Sequence, residues 1–114
     1  MMQAQVRGIE ANDIPDWPNW VATHPFDELQ WFTVSIGTSD SDGEDLFQVA
    51  VASPRGINER RRKEKFVGLV VDEFKSERIE QAIRDFVATV QGTTWEAIAE
   101  QLSKVMRSEY HDYR

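Results

Sequence analysis

The sequence predicts an α+β fold: an antiparallel sheet of about four strands followed by two C-terminal amphipathic helices packed on one face. Three observations carry that expectation. Two runs, Trp31–Thr38 and Asp45–Ala52, alternate apolar and polar residues with period two on either side of an acidic, glycine-containing turn. The last third of the chain instead repeats its apolar residues at spacings of three and four, in two successive stretches. The chain has 114 residues, of which 40 % are hydrophobic and 29 % charged. That suffices for one core and is too little for two, so 1–114 reads as a single domain.

A first strand is expected over Gln3–Glu10. Its only large apolar residues, Val6 and Ile9, leave the inward face unfixed and a bulge admissible. The stretch Asn12 to Trp20 holds Pro15 and Pro18 among turn formers, and Pro25 follows, so it reads as a loop or wrap without a regular ladder. In the next strand Phe32, Val34 and Ile36 share one face, while Trp31, Thr33 and Ser35 share the other. Ser39-Asp40-Ser41-Asp42-Gly43 supplies turn chemistry, because Asp and Ser side chains bond nearby backbone and Gly takes φ > 0 cheaply. Phe47, Val49 and Val51 then alternate with Gln48, Ala50 and Ala52, completing a β-hairpin.

Beyond Ser53-Pro54-Arg55-Gly56 and the polar segment Asn58 to Lys65, the run Phe66 to Phe74 is apolar on both faces. It is expected as a well-covered strand inside the sheet, or at least beneath other elements. Ile79, Ala82, Ile83, Phe86, Val87 and Val90 form the stripe of a first helix, with Ser76 as N-cap, Glu77 and Glu80 in its first turn, and Gly92 closing it. Thr93 and Glu96 fit a capping box for a second helix with the stripe Trp95, Ile98, Ala99, Leu102, Val105 and Met106.

Composition narrows function mainly by exclusion. The chain has no Cys, which removes thiolate catalysis, disulfides and Cys-ligated metals, and fits a reducing compartment. No stretch approaches the ~20 apolar residues that span a bilayer, and no signal-peptide pattern is present, so a cytoplasmic, membrane-free protein is expected. The two His residues, His24 and His111, are in no metal-ligand spacing, and the six Gly form no phosphate loop. No catalytic residue, metal or cofactor is therefore assigned, and the chain is not expected to be an enzyme.

The net charge of −7 opposes general nucleic-acid affinity, which depends on cations that displace counterions. That charge is unevenly placed. Residues 1–54 carry one Arg against nine acids (−8), 55–65 six cations against two acids (+4), and 66–114 six cations against nine acids (−3). Asp40, Asp42, Glu44 and Asp45 stand within six residues at the hairpin turn. They have the composition of a calcium loop without its distal bidentate Glu or flanking helices. They are a solvated turn or a patch that steers a cationic protein. Trp17 and Trp20 cover a core edge or serve as interface anchors. Arg60 to Lys65 is a solvated connection, or the basis of an alternative function as a small regulatory or nucleic-acid-binding module.

A succession of short signatures adds a second kind of information. Ile36-Gly37 precedes the turn, and Glu44 and Phe47 follow it. Val51-x-Ser53-Pro54 closes the hairpin, and Val70-Val71-Asp72-Glu73-Phe74 comes next. Thr94-Trp95-Glu96 opens the last helix, and Glu109-Tyr110-x-Asp112-Tyr113 ends the chain. Over about Val6 to Tyr113 this order resembles the immunity protein 8 family of bacterial polymorphic toxin systems. The chain departs from the family at Ala52-Ser53-Pro54, where relatives often have Cys-Thr-Pro and then a Trp, and at Ser108, where an aromatic is usual. The resemblance implies a small α+β inhibitor that binds and neutralises a cognate toxin domain; the acidic charge of this chain, not the resemblance, makes a basic nuclease one candidate. The resemblance carries over no toxin-contact set. The terminal signature suits docking of the C-terminus on the sheet, and the acidic turn is the better candidate for specificity.

Overall fold

The middle strand, β2 (Leu29–Thr38), organises the fold. Its alternation puts Phe32, Val34 and Ile36 on a face where each is at most 1 % exposed. β1 (Met2–Ala11) and β3 (Glu44–Ala52) pair with it, both antiparallel. The computed structural model describes residues 1–40, 43–55, 57 and 67–108. β1 carries the bulge that its sequence admits: Val6 pairs with Ile36 and Ile9 with Val34, and the register shifts between Val6 and Gly8. One extra residue, Arg7, brings two apolar side chains three positions apart onto the same buried face.

Three two-residue strands finish the sheet. β4 (Leu69–Val70) and β6 (Arg107–Ser108) both lie on the outer edge of β3, the first parallel at Val51–Ala52 and the second antiparallel at Phe47–Gln48. β5 (Gln91–Gly92) pairs with Met2–Gln3 on the outer edge of β1. The helices α1 (Ser76–Ala88) and α2 (Trp95–Leu102) cover the apolar face. Their Ile79, Ile83, Val87, Ile98 and Leu102 join Phe32, Val34, Ile36, Phe47, Val49 and Val51 in one core. Full burial of such a side chain contributes roughly 1.5–3 kcal/mol.

The loop between β1 and β2 is a wrap, as its prolines suggest, with one 3₁₀ turn at Trp17–Asn19. Trp17 is buried; its indole Nε1–H donates to the Ile9 carbonyl at 3.0 Å, and its ring meets Phe32 edge-on at 5.3 Å. An unpaired carbonyl on the outer edge of β1 thus gains a donor, and the loop is pinned over the core. Trp20 stands edge-on to Phe74 at 5.7 Å.

Several expectations are corrected. Among the described residues the sheet is mixed and six-stranded, not an antiparallel sheet of about four, because β4 runs parallel to β3. The helices are not a terminal pair, since β5 separates them and β6 follows. Among the described residues of the run expected as an internal strand, only Leu69–Val70 is in a strand; it lies at the edge and Val70 is 53 % exposed. Val71 and Phe74 are buried as anchors of a crossing segment, which an apolar run alone does not distinguish from a covered strand.

The caps also shift. Lys75, not Ser76, is the N-cap of α1, and the Ser76 hydroxyl donates to the Pro18 carbonyl at 2.9 Å. α1 closes at Thr89, and Gly92 belongs to β5. The Gln3 side-chain amide serves the carbonyls at that helix end, donating to Val90 O at 2.9 Å and Ala88 O at 3.2 Å. Thr94, not Thr93, caps α2: its hydroxyl accepts from the Ala97 N–H at 3.2 Å.

At the departures from the family pattern, Ala52 is fully buried and the buried Ser53 hydroxyl accepts from the Glu28 N–H at 2.8 Å. Ser108 is buried where β6 meets Phe47.

Candidate protein-binding surface

The acidic turn sits at the mouth of the β2–β3 hairpin, where the two strands approach closely. An added Cβ on Gly37 would lie 2.5 Å from the Gly43 carbonyl oxygen and 3.0 Å from Arg7 Nε. Only a residue without a side chain lets the strand ends close in this way. The Arg7 side chain, extruded by the bulge in β1, reaches across that glycine, and its Nη2 donates to the Thr38 carbonyl at 2.7 Å. The Thr38 hydroxyl donates in turn to Asp40 Oδ1 at 2.9 Å, and the Ser39 N–H bonds the Gln3 carbonyl at 3.1 Å. Bonds from β1 to the end of β2 and the start of the turn thus fix the mouth.

Of the four acids, Asp40 and Glu44 are exposed, Asp45 is half-buried, and Asp42 lies outside the described residues. Glu44 and Asp45 have no ion-pair partner among the described residues. Both line a groove of about 360 Å³ together with Met2, Gly37, Thr38, Gly43 and Trp95. Trp95 is the first residue of α2, and its ring meets Phe47 edge-on at 6.2 Å. Asp45 shares the face of Phe47, and Met2 that of Ala4, so these two line the groove from the helix-bearing face, while the paired Gly37 and Glu44 belong to the opposite face and line it at the hairpin end.

Trp17 and Trp20 are elsewhere. Trp17 packs on Phe32, six residues along β2 from Thr38, or roughly 20 Å at strand rise. The structure does not bring the two tryptophans to the acids. Trp20, half-buried, lines a different cleft of about 420 Å³ with Pro18, Val21, Pro25, Phe74 and Glu77. Val21 there is 85 % exposed. The basic segment Arg60 to Lys65 and the terminal Glu109, Tyr110, Asp112 and Tyr113 fall outside the described residues.

Sequence reasoning missed Trp95, Met2 and Arg7 as parts of the acidic surface. Trp95 looked like core because it begins an apolar stripe; its position at the helix's first residue, where cover from neighbouring turns is missing, was the available signal. Among the described residues no three His, Asp or Glu side chains are grouped so as to hold a metal. No helix among them is long and apolar enough to cross a membrane.

Comparison with protein families matches the model of immunity protein 8 to residues 4–113. The chain belongs to the immunity protein 8 family. No curated protein and no solved structure matches it. Membership implies a toxin protein as partner, and immunity proteins are generally not enzymes.

Proposed function

We propose that the chain is a non-catalytic immunity protein that neutralises one cognate toxin domain by stoichiometric binding, covering the toxin's active site or an exosite. Family membership over nearly the whole chain is the observation that carries this. Asp40, Asp42, Glu44 and Asp45 form the specificity patch. Their carboxylates steer and hold a basic surface of the toxin, and if that toxin is a nuclease they stand in for phosphates. Trp17 contributes by holding its loop, whereas Trp20 has surface to offer a partner. The absence of Cys fits action in the cytoplasm of the cell that makes the toxin.

The test is co-expression with the toxin encoded by the neighbouring gene. Growth rescue and co-purification as a complex are expected, and failure of both removes the proposal. The acidic patch is tested separately: changing all four acids to Asn or Gln is expected to weaken toxin binding and flatten its salt dependence. Unaltered affinity and salt response would shift the contact to another face.

A further inference from the structure

Resting on the reading of a toxin as partner, we infer that the groove at the hairpin mouth is an anchor pocket for one cationic side chain of that partner, an arginine, with Trp95 as its floor. Several features converge there. The groove lies where α2 begins over the end of the sheet, and Trp95 and Met2, both half-buried, give it an apolar base. Glu44 and Asp45 line the same groove without an ion-pair partner among the described residues.

Its volume of about 360 Å³ exceeds what a single side chain fills, leaving room for the guanidinium and its stem. The Arg7–Thr38 and Thr38–Asp40 bonds hold the mouth in place, so little ordering remains to be done on binding.

These features select arginine chemically. A guanidinium is planar and weakly hydrated, lies flat on an indole, and presents forked donors to carboxylates at the edge of the ring. An aliphatic side chain would use the floor and leave the carboxylates beside an apolar group. An anionic one would meet Glu44, Asp45 and the chain's net −7. Met2 adapts its unbranched side chain to the stem of the incoming residue. The positive end of α2 opposes a cation here, and Glu96 in the same first turn offsets it.

The pocket can be tested apart from the toxin. N-acetyl-arginine amide is titrated into the protein, followed by the indole N–H resonances of the four tryptophans. N-acetyl-citrulline amide, of the same shape without the charge, serves as control. The Trp95 resonance, identified from Trp95→Phe, is expected to move progressively with the arginine probe. The same movement should be several-fold smaller with citrulline and in the Glu44→Gln/Asp45→Asn variant, whose exposed and half-exposed sites leave the core intact. Equal responses to the two probes, or movement confined to other tryptophans, would overturn the pocket.

Toxin binding supplies the second arm. The double variant is expected to bind the neighbouring gene's toxin roughly tenfold more weakly, with a shallower salt dependence. Unchanged binding would overturn the pocket and leave the immunity reading standing. A wild-type protein that fails to bind that toxin would overturn the immunity reading, and the arginine titration would still decide the pocket.

Discussion

Replacing Gly37 with Ala tests the closed hairpin mouth directly. The new Cβ would lie 2.5 Å from the Gly43 carbonyl oxygen, a backbone atom that cannot rotate away, and 3.0 Å from Arg7 Nε. Side chains do not sit closer than about 3 Å to such an oxygen, so the strand ends must part by about half an ångström or more. Parting them stretches the Arg7–Thr38 bond, now 2.7 Å. Overpacking of this kind costs about 1–3 kcal/mol. Taking ~2 kcal/mol and a loss of roughly 4 °C per kcal/mol for a domain of this size, thermal denaturation should show a fall in Tm of about 8 °C.

Gly8→Ala is the matched control. Neither glycine has positive φ, and the Cβ at Gly8 would meet only Ser35 Oγ at 3.8 Å. That change should be neutral or stabilising by up to about 1 kcal/mol, because it narrows the unfolded ensemble. If Gly37→Ala melts with the wild type, or the two variants lose equally, the close approach at the mouth does not govern stability.

Other substitutions probe the remaining joints. Thr94→Ala should cost about 1 kcal/mol in urea denaturation by removing the cap of α2, while Thr93→Ala should be close to neutral; the reverse order would restore the capping box expected from sequence. Gln3→Ala should cost about 1 kcal/mol, and Gln3→Glu more, since a carboxylate would face the Val90 and Ala88 carbonyls without a proton to donate; the difference is read from the two urea midpoints. Trp17→Phe keeps the ring over Phe32 and deletes the indole donor to Ile9, for a loss of about 1 kcal/mol in the same assay, whereas Trp17→Ala should lose about 3–5 kcal/mol.

The parts of the fold that were legible in the sequence are those whose residues are buried on one side only. In β2 and β3 the alternation Phe32-x-Val34-x-Ile36 and Phe47-x-Val49-x-Val51 reports a single covered face, and the stripes of α1 and α2 do the same with period 3.6. Where tertiary contacts replace periodicity, local pattern fails. Two-residue strands such as β5 and β6 have no period, and they exist because α1 and α2 return the chain to open edges of the sheet. The Phe66–Phe74 run supplies buried anchors from an extended crossing, so its composition mimics a strand. Both caps slipped by one residue because Ser76 and Thr93 have neighbours, Lys75 and Thr94, that can occupy the same turn. The acids of the site were visible as a cluster, but its floor was not, since Met2 and Trp95 meet only in three dimensions.

That meeting sets an order of events during synthesis. Met2 and Trp95 are ninety-three positions apart in the chain, and β1 gains its outer neighbour only when Gln91–Gly92 arrives. The hairpin of β2 and β3 can form from local contacts, whereas pairing the first strand with residues about ninety positions later carries a larger loop-closure cost. A nascent chain, or one cut ahead of β5, holds the acids on their turn with no tryptophan beneath them. If the groove at the hairpin mouth is the toxin contact proposed above, inhibition starts only once the chain has emerged through Trp95 and β5 has closed against β1, so the interval before that closure is a lag in protection.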